Sequence, residues 1–261
     1  MKFLIQDNLV GEKQLLLVKD AVEKYPHEFI GLIPFTDKIT SCEPLDGLDY
    51  IPYGSTNLTL ISKEKGWKGL YFDLKQFNYD EALKNRDDML NSGIIDVEEA
   101  IKFLAKEEDD SMWFSRPSED MKQYAGLIDT ASELRRFFID AMKCASSGSY
   151  QLKKGLRVLL SKPKNIQCEW RWFIVDGKVV SGSMYRVKNQ LRSINETDEA
   201  VINEAQEFAD KWLPHPNCVM DLALVDDEVK VIEFNCINSS GFYAHDVKSV
   251  FDAIWKYEKG K

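Results

Sequence analysis

The chain has 261 residues, of which 44% are hydrophobic and 30% charged, and carries a formal net charge of -9 at pH 7. That length allows one elaborate domain or two small ones. The acidic balance excludes nucleic acid or an anionic membrane as the main partner, since both need a basic footprint, but leaves room for a local basic pocket.

No run approaches the ~20 apolar residues of a membrane span. Gln6 and Asp7 interrupt any signal-like core in the first ten residues, so a cytoplasmic location is expected. The five cysteines (Cys42, Cys144, Cys168, Cys218, Cys236) form no C-x-x-C pair, and the three histidines (His27, His215, His245) are far apart. Reduced thiols fit this pattern better than a disulfide or zinc framework, and a Ser-His-Asp triad has little support.

Lys2 to Gln6 reads as a strand, Glu12 to Tyr25 carries helical apolar spacing (Leu15, Leu16, Val18, Val22), and Phe29 to Pro34 returns to a strand. This β-α-β start opens an α/β layer. Tyr50 to Pro52 is a second short strand, followed by the turn Tyr53-Gly54-Ser55-Thr56 with an N-cap and a helix over Asn57 to Lys65. Gly66-Trp67-Lys68-Gly69 breaks that helix, and Leu70 to Asp73 is again extended. Asp96 to Glu108 is an amphipathic helix with Val97, Ala100, Ile101 and Leu104 on one side. The acidic run Glu107 to Asp110 is either a domain boundary or a solvated helix end.

Met112 to Arg116 is a strand closed by Pro117, and Thr130 to Cys144 a helix capped by Thr130 with Glu133 three residues on. Ser146 to Ser149 is a small-residue link, and Leu156 to Ser161 an apolar strand ended by Lys162-Pro163. Trp170 to Met184 forms a hairpin about Asp176-Gly177. Asp198 to Leu213 is a helix, Val219 to Asn235 a second hairpin and Asp246 to Tyr257 a closing helix.

A two-residue turn at Asp176-Gly177 pairs Arg171 with Gly182. Alternation then puts Glu169, Arg171 and Phe173 on one face with Val180, Gly182, Met184 and Arg186. Gly182 would leave open space for a ligand beside Arg171, while Trp170, Trp172, Ile174, Val179 and Tyr185 form the apolar face. Two arginines and a glutamate on one face either serve a ligand or make a surface ion pair of small worth.

In the second hairpin, a three-residue loop at Asp226-Asp227-Glu228 sets Asp221 directly opposite Glu233, with Asn235 on the same face. Like charges opposite each other destabilise a hairpin, so a cation is expected between them. Oxygen-only ligands in small number suit Mg²⁺. A two-residue loop would place the two carboxylates on opposite faces. Asn238-Ser239-Ser240-Gly241 then forms a small polar turn that either presents N–H groups to an anion or simply precedes the last helix.

A strand-borne Asp221, then Glu233-x-Asn235, then an Asn-Ser-Ser-Gly turn is similar to the C-terminal metal motif of ATP-grasp enzymes. Glu169-x-Arg171, a hairpin and a second arginine, Arg186, resemble the superfamily's middle motif. Val158 to Ser161 with Lys162-Pro163 looks like the hinge whose backbone binds adenine. Phe114-Ser115-Arg116-Pro117 with Lys122 to Gly126 resembles the small-lobe segment of the arginine-arginine-lysine clade common in phage and bacterial genomes, here Arg116, Arg171 and Lys122. Ile51 to Thr56 and Gly66 to Asp73 look like its pre-ATP-grasp segment, so the likeness spans nearly the whole chain. Ser115 departs from it, standing where an aliphatic residue is expected, and no Gly-rich phosphate loop of the usual kind is evident.

The resemblance implies an ATP-grasp fold, two α+β lobes holding ATP, preceded by a small α/β pre-ATP-grasp domain. The expected division is 1–108, then 109–261, with a small lobe at about 109–160 and a large lobe at about 161–261. It implies a carboxylate–amine ligase that works through an acyl phosphate. Arg116, Lys122, Leu160, Ser161, Lys162 and Glu169 would bind ATP; Asp221, Glu233 and Asn235 would hold one or two Mg²⁺; Arg171 and Arg186 would be catalytic. Tyr53, Ser55, Thr56, Asn238, Ser239 and Ser240 would face the substrate, although Ser55 and Thr56 fit a helix cap as well. The substrates would be a small-molecule, peptide or protein-terminus carboxylate and an amine, with a homo-oligomer left open. The alternatives are a non-catalytic nucleotide-binding module and an ATP-dependent phosphotransferase.

Overall fold

The computed structural model describes residues 1–8, 11–33, 36–120, 123–145, 155–188 and 190–261, with backbone alone at 12, 144 and 145. Lys122 and the small-residue link at 146–149 lie outside the described residues. Within them the chain forms three sheets.

The first sheet carries β1 (Lys2–Gln6), β2 (His27–Leu32), β3 (Ile39–Thr40) and β4 (Tyr50–Tyr53) in the order β3-β2-β1-β4. β1 runs parallel to both β2 and β4, as a β-α-β start requires. Between β1 and β2 lies α1 (Glu12–Val22), and after β4 comes α2 (Thr56–Lys65). Ser55 Oγ caps α2 by accepting from Leu58 N, and Gly66 ends it at φ 69°, a left-handed position that glycine occupies without strain.

The second sheet has the order β5-β8-β6-β7, from β5 (Ile94–Asp96), β6 (Met112–Pro117), β7 (Leu127–Thr130) and β8 (Arg157–Ser161). α4 (Val97–Leu104) and α5 (Ala131–Ala145) cover it through Ala100, Leu104, Leu134 and Phe138, which meet Val158 and Leu160. α3 (Tyr79–Asn85) precedes these elements. The third sheet has the order β11-β10-β9-β12-β13 and is antiparallel throughout. Its strands are β9 (Ile166–Val175), β10 (Lys178–Val187), β11 (Gln190–Glu196), β12 (Cys218–Val225) and β13 (Glu228–Asn235).

Alternation along β9 and β12 builds two cores. Phe173, Val175 and Val219 pack with Phe3, Ile5 and Ile51 of the first sheet and with Phe251 of α7 (Val247–Gly260). Trp172, Ile174, Cys218 and Met220 face the other way, onto Phe208 and Ala205 of α6 (Glu199–Lys211). Among the described residues, no helix is long and apolar enough to cross a membrane.

The structure departs from the expected elements where the local pattern was weakest. Leu70 to Asp73 forms no strand. α3 buries only Tyr79 and Ala82, β5 has three residues, and β11 is exposed almost throughout, so none of them carries a strong periodic signal.

Both hairpin registers also differ from strict counting. The first turn is Asp176-Gly177 as expected, with φ 53° and 72°. A register shift between Val179 and Ser181 then sets Arg171 opposite Ser183 and Gly182 opposite Trp172, and a second between Met184 and Arg186 sets Arg186 opposite Glu169. The space at Gly182 is filled by the indole and not by a ligand: a Cβ there would lie 2.1 Å from Trp172 Cζ3.

In the second hairpin Val225 pairs with Glu228, so the loop is the two residues Asp226-Asp227, both left-handed at φ 52° and 63°. That register alone would set Asp221 opposite Ile232. A bulge skips Ile232, Leu222 pairs with Val231, and Asp221 returns opposite Glu233.

Candidate active site

β9, β12 and β13 lie side by side, and the register puts Arg171 opposite Asp221 and Asp221 opposite Glu233. Two residues further along the same face stand Phe173 and Val219 of the apolar core. The face therefore changes from core to charged cleft within one step of each strand. A cavity of about 460 Å³ opens there, roofed by Phe114, Arg116 and Ile128 of the second sheet.

Arg116, Lys162, Glu169, Arg171, Arg186, Asp221 and Glu233 line this cavity together. Arg171 is forked on Asp221, with Nε to Oδ1 at 2.9 Å and Nη2 to Oδ2 at 2.7 Å. Asp221 is 1% exposed and Asn235 Nδ2 donates to its Oδ2 at 3.3 Å. Arg116 Nη1 donates to Glu233 Oε2. Arg186 Nη1 donates to Glu169 Oε1 at 3.1 Å, and the Tyr185 hydroxyl donates to the other oxygen of Glu169 at 2.6 Å. Each carboxylate at the inner end of the cavity is thus paired with an arginine.

Burial pushes the Asp221 carboxyl up against the pull of Arg171, and Glu233 and Glu169 push the same way. For Glu233, burial also pushes up, but Arg116 and then Arg171 outweigh it and hold the group below its ordinary value. Burial disfavours charge on Arg171, yet Asp221 more than offsets it and the guanidinium pKa rises.

Mg²⁺ takes a small set of oxygen donors and keeps several waters. Among the described residues no cluster of three or more His, Cys, Asp or Glu could hold a metal ion. What is present is two facing carboxylates and one amide, the small oxygen set that suits an ion keeping several waters. Asp221, Glu233 and Asn235 fit such an ion once the arginines move off.

Leu160 and Ser161 do not line the cavity: Leu160 lies in the core of the second sheet and Ser161 Oγ donates to Asn91 Oδ1 at 2.9 Å. The wall there is Lys162, Pro163 and Lys164. Ser115, the residue out of pattern, is buried with its hydroxyl paired to that of Tyr124 at 2.8 Å.

The residues expected to meet substrate lie apart from this lining. Ser55 caps α2 and Thr56 begins it. The Tyr53 hydroxyl donates to Ser240 O at 2.8 Å, Ser240 Oγ donates to Cys236 O at 2.8 Å, and Ser239 closes a 3₁₀ turn. Asn238 is spent on structure: its Nδ2 donates to Pro52 O and Gly69 O, and its Oδ1 accepts from Tyr71 N. The bond inventory is full because the side chain is buried between the first sheet and the turn after β13.

Residues missed by counting include Tyr185, Tyr243, Asn91 and Glu119, all in the lining. Strict alternation puts Tyr185 on the apolar face; the shift between Val179 and Ser181 moves it to the Arg171 face, two residues beyond Ser183. Tyr185 and Tyr243 stack with ring centroids 4.6 Å apart at 8°, and the Arg171 guanidinium lies 5.1 Å from the Tyr243 ring centre.

The Tyr243 loop is tied to β10 by His245, whose Nδ1 is 3.0 Å from Ser181 Oγ. Burial, then the charge of Arg171, push His245 down to about 3. The unfolded residue binds a proton near pH 6.5 while the folded one does not. This group's stabilisation is therefore full above that pH and is lost as pH falls from 6.5 toward 3. The stability difference between the protein and His245→Gln, from urea unfolding, is expected to shrink by about 1.4 kcal/mol between pH 7.5 and 5.5. A constant difference would contradict it.

A family model described as ATP-grasp domain, R2K clade family 3, matches residues 73–256, and the chain belongs to that family. No curated protein matches the chain. Among solved structures the fold is similar to D-cycloserine synthetase DcsG, with a TM-score of 0.61 and 10% identity over 98% of this chain and 99% of that one. It is similar to a RimK domain ATP-grasp protein from Sphaerobacter thermophilus DSM 20745, at 0.59 and 10% over 98% and 100%. It is also similar to the ATP-grasp ligase PsnB complexed with minimal precursor, Mg and ADP, at 0.52 and 12% over 99% and 98%. The fold is therefore the ATP-grasp fold.

Proposed function

We propose that the chain is an ATP- and Mg²⁺-dependent carboxylate–amine ligase acting through an acyl phosphate. The observation that carries this reading is the row Arg171–Asp221–Glu233 across three adjacent strands, facing Arg116 from a separate sheet over one cavity. In a chain of net charge -9, that cavity gathers Arg116, Arg171, Arg186, Lys162 and Lys164 against Glu119, Glu169, Asp221 and Glu233, a local cationic excess that suits an anionic substrate.

Mg²⁺ held by Asp221, Glu233 and Asn235 would neutralise charge on the β- and γ-phosphates. Arg171 and Arg116 would offer planar guanidiniums to phosphate oxygens, a group suited to bidentate contact. Glu169, fixed by Tyr185, orients Arg186 toward the substrate carboxylate. That carboxylate attacks the γ-phosphorus and ADP leaves; the amine then attacks the acyl carbon, phosphate leaves and the nitrogen loses a proton. Positioning and charge neutralisation supply the catalysis. The first sheet serves as the pre-ATP-grasp layer, and the second and third sheets as small and large lobes.

ADP release measured over a panel of acids and amines tests the reading. Release is expected only when one acid and one amine are both present. A phosphorylated acid accumulating without amine would replace it with phosphotransfer, and ATP binding without turnover across the panel would replace it with a binding module.

A further inference from the structure

Four carboxylates line the cavity: Glu119, Glu169, Asp221 and Glu233. Glu169, Asp221 and Glu233 each take an arginine, Arg186, Arg171 and Arg116 in turn. Among the described residues no arginine or lysine pairs with Glu119. Its Oε2 accepts from Gln123 Nε2 at 3.0 Å, which orients the carboxylate and leaves Oε1 for a ligand. Gln123 Oε1, on the same amide, is a buried acceptor with no donor among the described residues. A carboxylate and an amide joined in this way still hold acceptor capacity on both groups, which calls for a ligand rich in N–H donors.

The place of Glu119 is fixed by its neighbours. Ser118 N donates to Arg157 O at 2.9 Å, and Tyr79 N donates to Ser118 O at 2.8 Å. On the other side Asp120 Oδ2 accepts from Cys236 N at 3.3 Å. Cys236 follows Asn235, the last residue of β13, so Glu119 is held where the loop after β6 meets the end of that strand. An acyl phosphate formed at the Asp221–Glu233 end of the cavity would meet its nucleophile there. Arg116, Arg171, Arg186, Lys162 and Lys164 favour anions along the rest of the lining. A cation is drawn instead to the carboxylate whose charge is not already offset. A primary amine is such a cation near neutral pH, and its ammonium form carries three donors and no acceptor.

We propose that Glu119, oriented by Gln123, is the specificity-determining seat of the second substrate, and that this substrate is a primary amine bound as its ammonium ion. This rests on the ligase reading of the cavity, and it adds the charge of the nucleophile when it binds and the side chain that selects it.

The test follows ADP release by the full chain with Mg²⁺, ATP, each acid of the panel and one of two nucleophiles. At about pH 7.5 methylamine is cationic, whereas hydroxylamine is neutral. Glu119→Gln is expected to raise the KM for methylamine about 30-fold, the scale of a lost hydrogen bond to a charged partner. The KM for hydroxylamine, and kcat with either nucleophile, are expected to stay within about threefold. Glu119→Asp, which keeps the charge, is expected to recover at least half of the methylamine effect on a logarithmic scale, and Gln123→Leu to raise the methylamine KM about threefold. Circular dichroism confirms folding of each variant. An unchanged methylamine KM in Glu119→Gln, an equal shift for both nucleophiles, or a fall in kcat alone overturns the seat while the ligase reading stands. Wild type that releases ADP with hydroxylamine but not with methylamine overturns it in the same way. No release with either nucleophile across the acids removes the ligase reading, and the seat with it.

Discussion

Asp221→Ala is expected to lower Mg²⁺-dependent ATP turnover by about 1000-fold or more, the scale of losing a preorganised charge at a transferring phosphoryl group. The residue stands at the crossing of three strands, opposite Arg171 on one side and Glu233 on the other. Its removal takes one of two facing carboxylates from the proposed cation position and leaves Arg171 buried without its counter-ion. The second consequence is expected to cost about 3–5 kcal/mol of stability. The two are separated by assaying turnover per folded molecule, with urea unfolding on the same sample. Turnover within about tenfold of wild type would remove Asp221 from the reaction.

Asn238→Ala is expected to cost about 3–6 kcal/mol of stability, since three backbone groups each lose a buried partner. The lost bonds are those to Pro52 O at 2.7 Å, to Gly69 O at 2.9 Å and from Tyr71 N at 2.9 Å. They join the turn after β13 to β4 and to the segment that follows α2. Gly54 N also donates to Asn238 O at 2.9 Å and is unaffected by the change, so part of the joint remains. A loss below about 1 kcal/mol in the unfolding free energy from urea titration would show that solvent replaces the amide, and the joint would not depend on this side chain.

Much of the fold was legible because it is written locally. Thr130 with Glu133 marks a helix start: Glu133 N donates to Thr130 Oγ1 at 3.3 Å, and that hydroxyl donates to Glu133 Oε2 at 3.0 Å. Asp176-Gly177 announced its hairpin, and Gly66 the end of α2. The charged residues of the cavity stood out as polar positions within apolar strands. Lys122 remains an expectation, since it lies outside the described residues.

What counting could not supply was register. Counted strictly, the two-residue turn at Asp226-Asp227 puts Asp221 and Glu233 on opposite faces; they pair because a bulge at Ile232 adds back one residue, as a three-residue loop would have done. Ile232 carries no turn chemistry that would mark it. The shifts in β10 are likewise silent: Gly182 suggested an opening, and Trp172 fills it. A bulge is stabilised by what packs on either side of the sheet, so its residue has no signature of its own.

By itself the amino-acid sequence determined the longer strands and helices, most caps and turns, and which charged residues interrupt apolar strands, because each depends on neighbours a few positions away. The tertiary structure alone decided who faces whom. Arg171 and Asp221 are 50 positions apart and Arg116 and Glu233 are 117 apart. Their pairing follows from strand order, two-residue periodicity and single-residue bulges, which are settled only when three sheets close on one another.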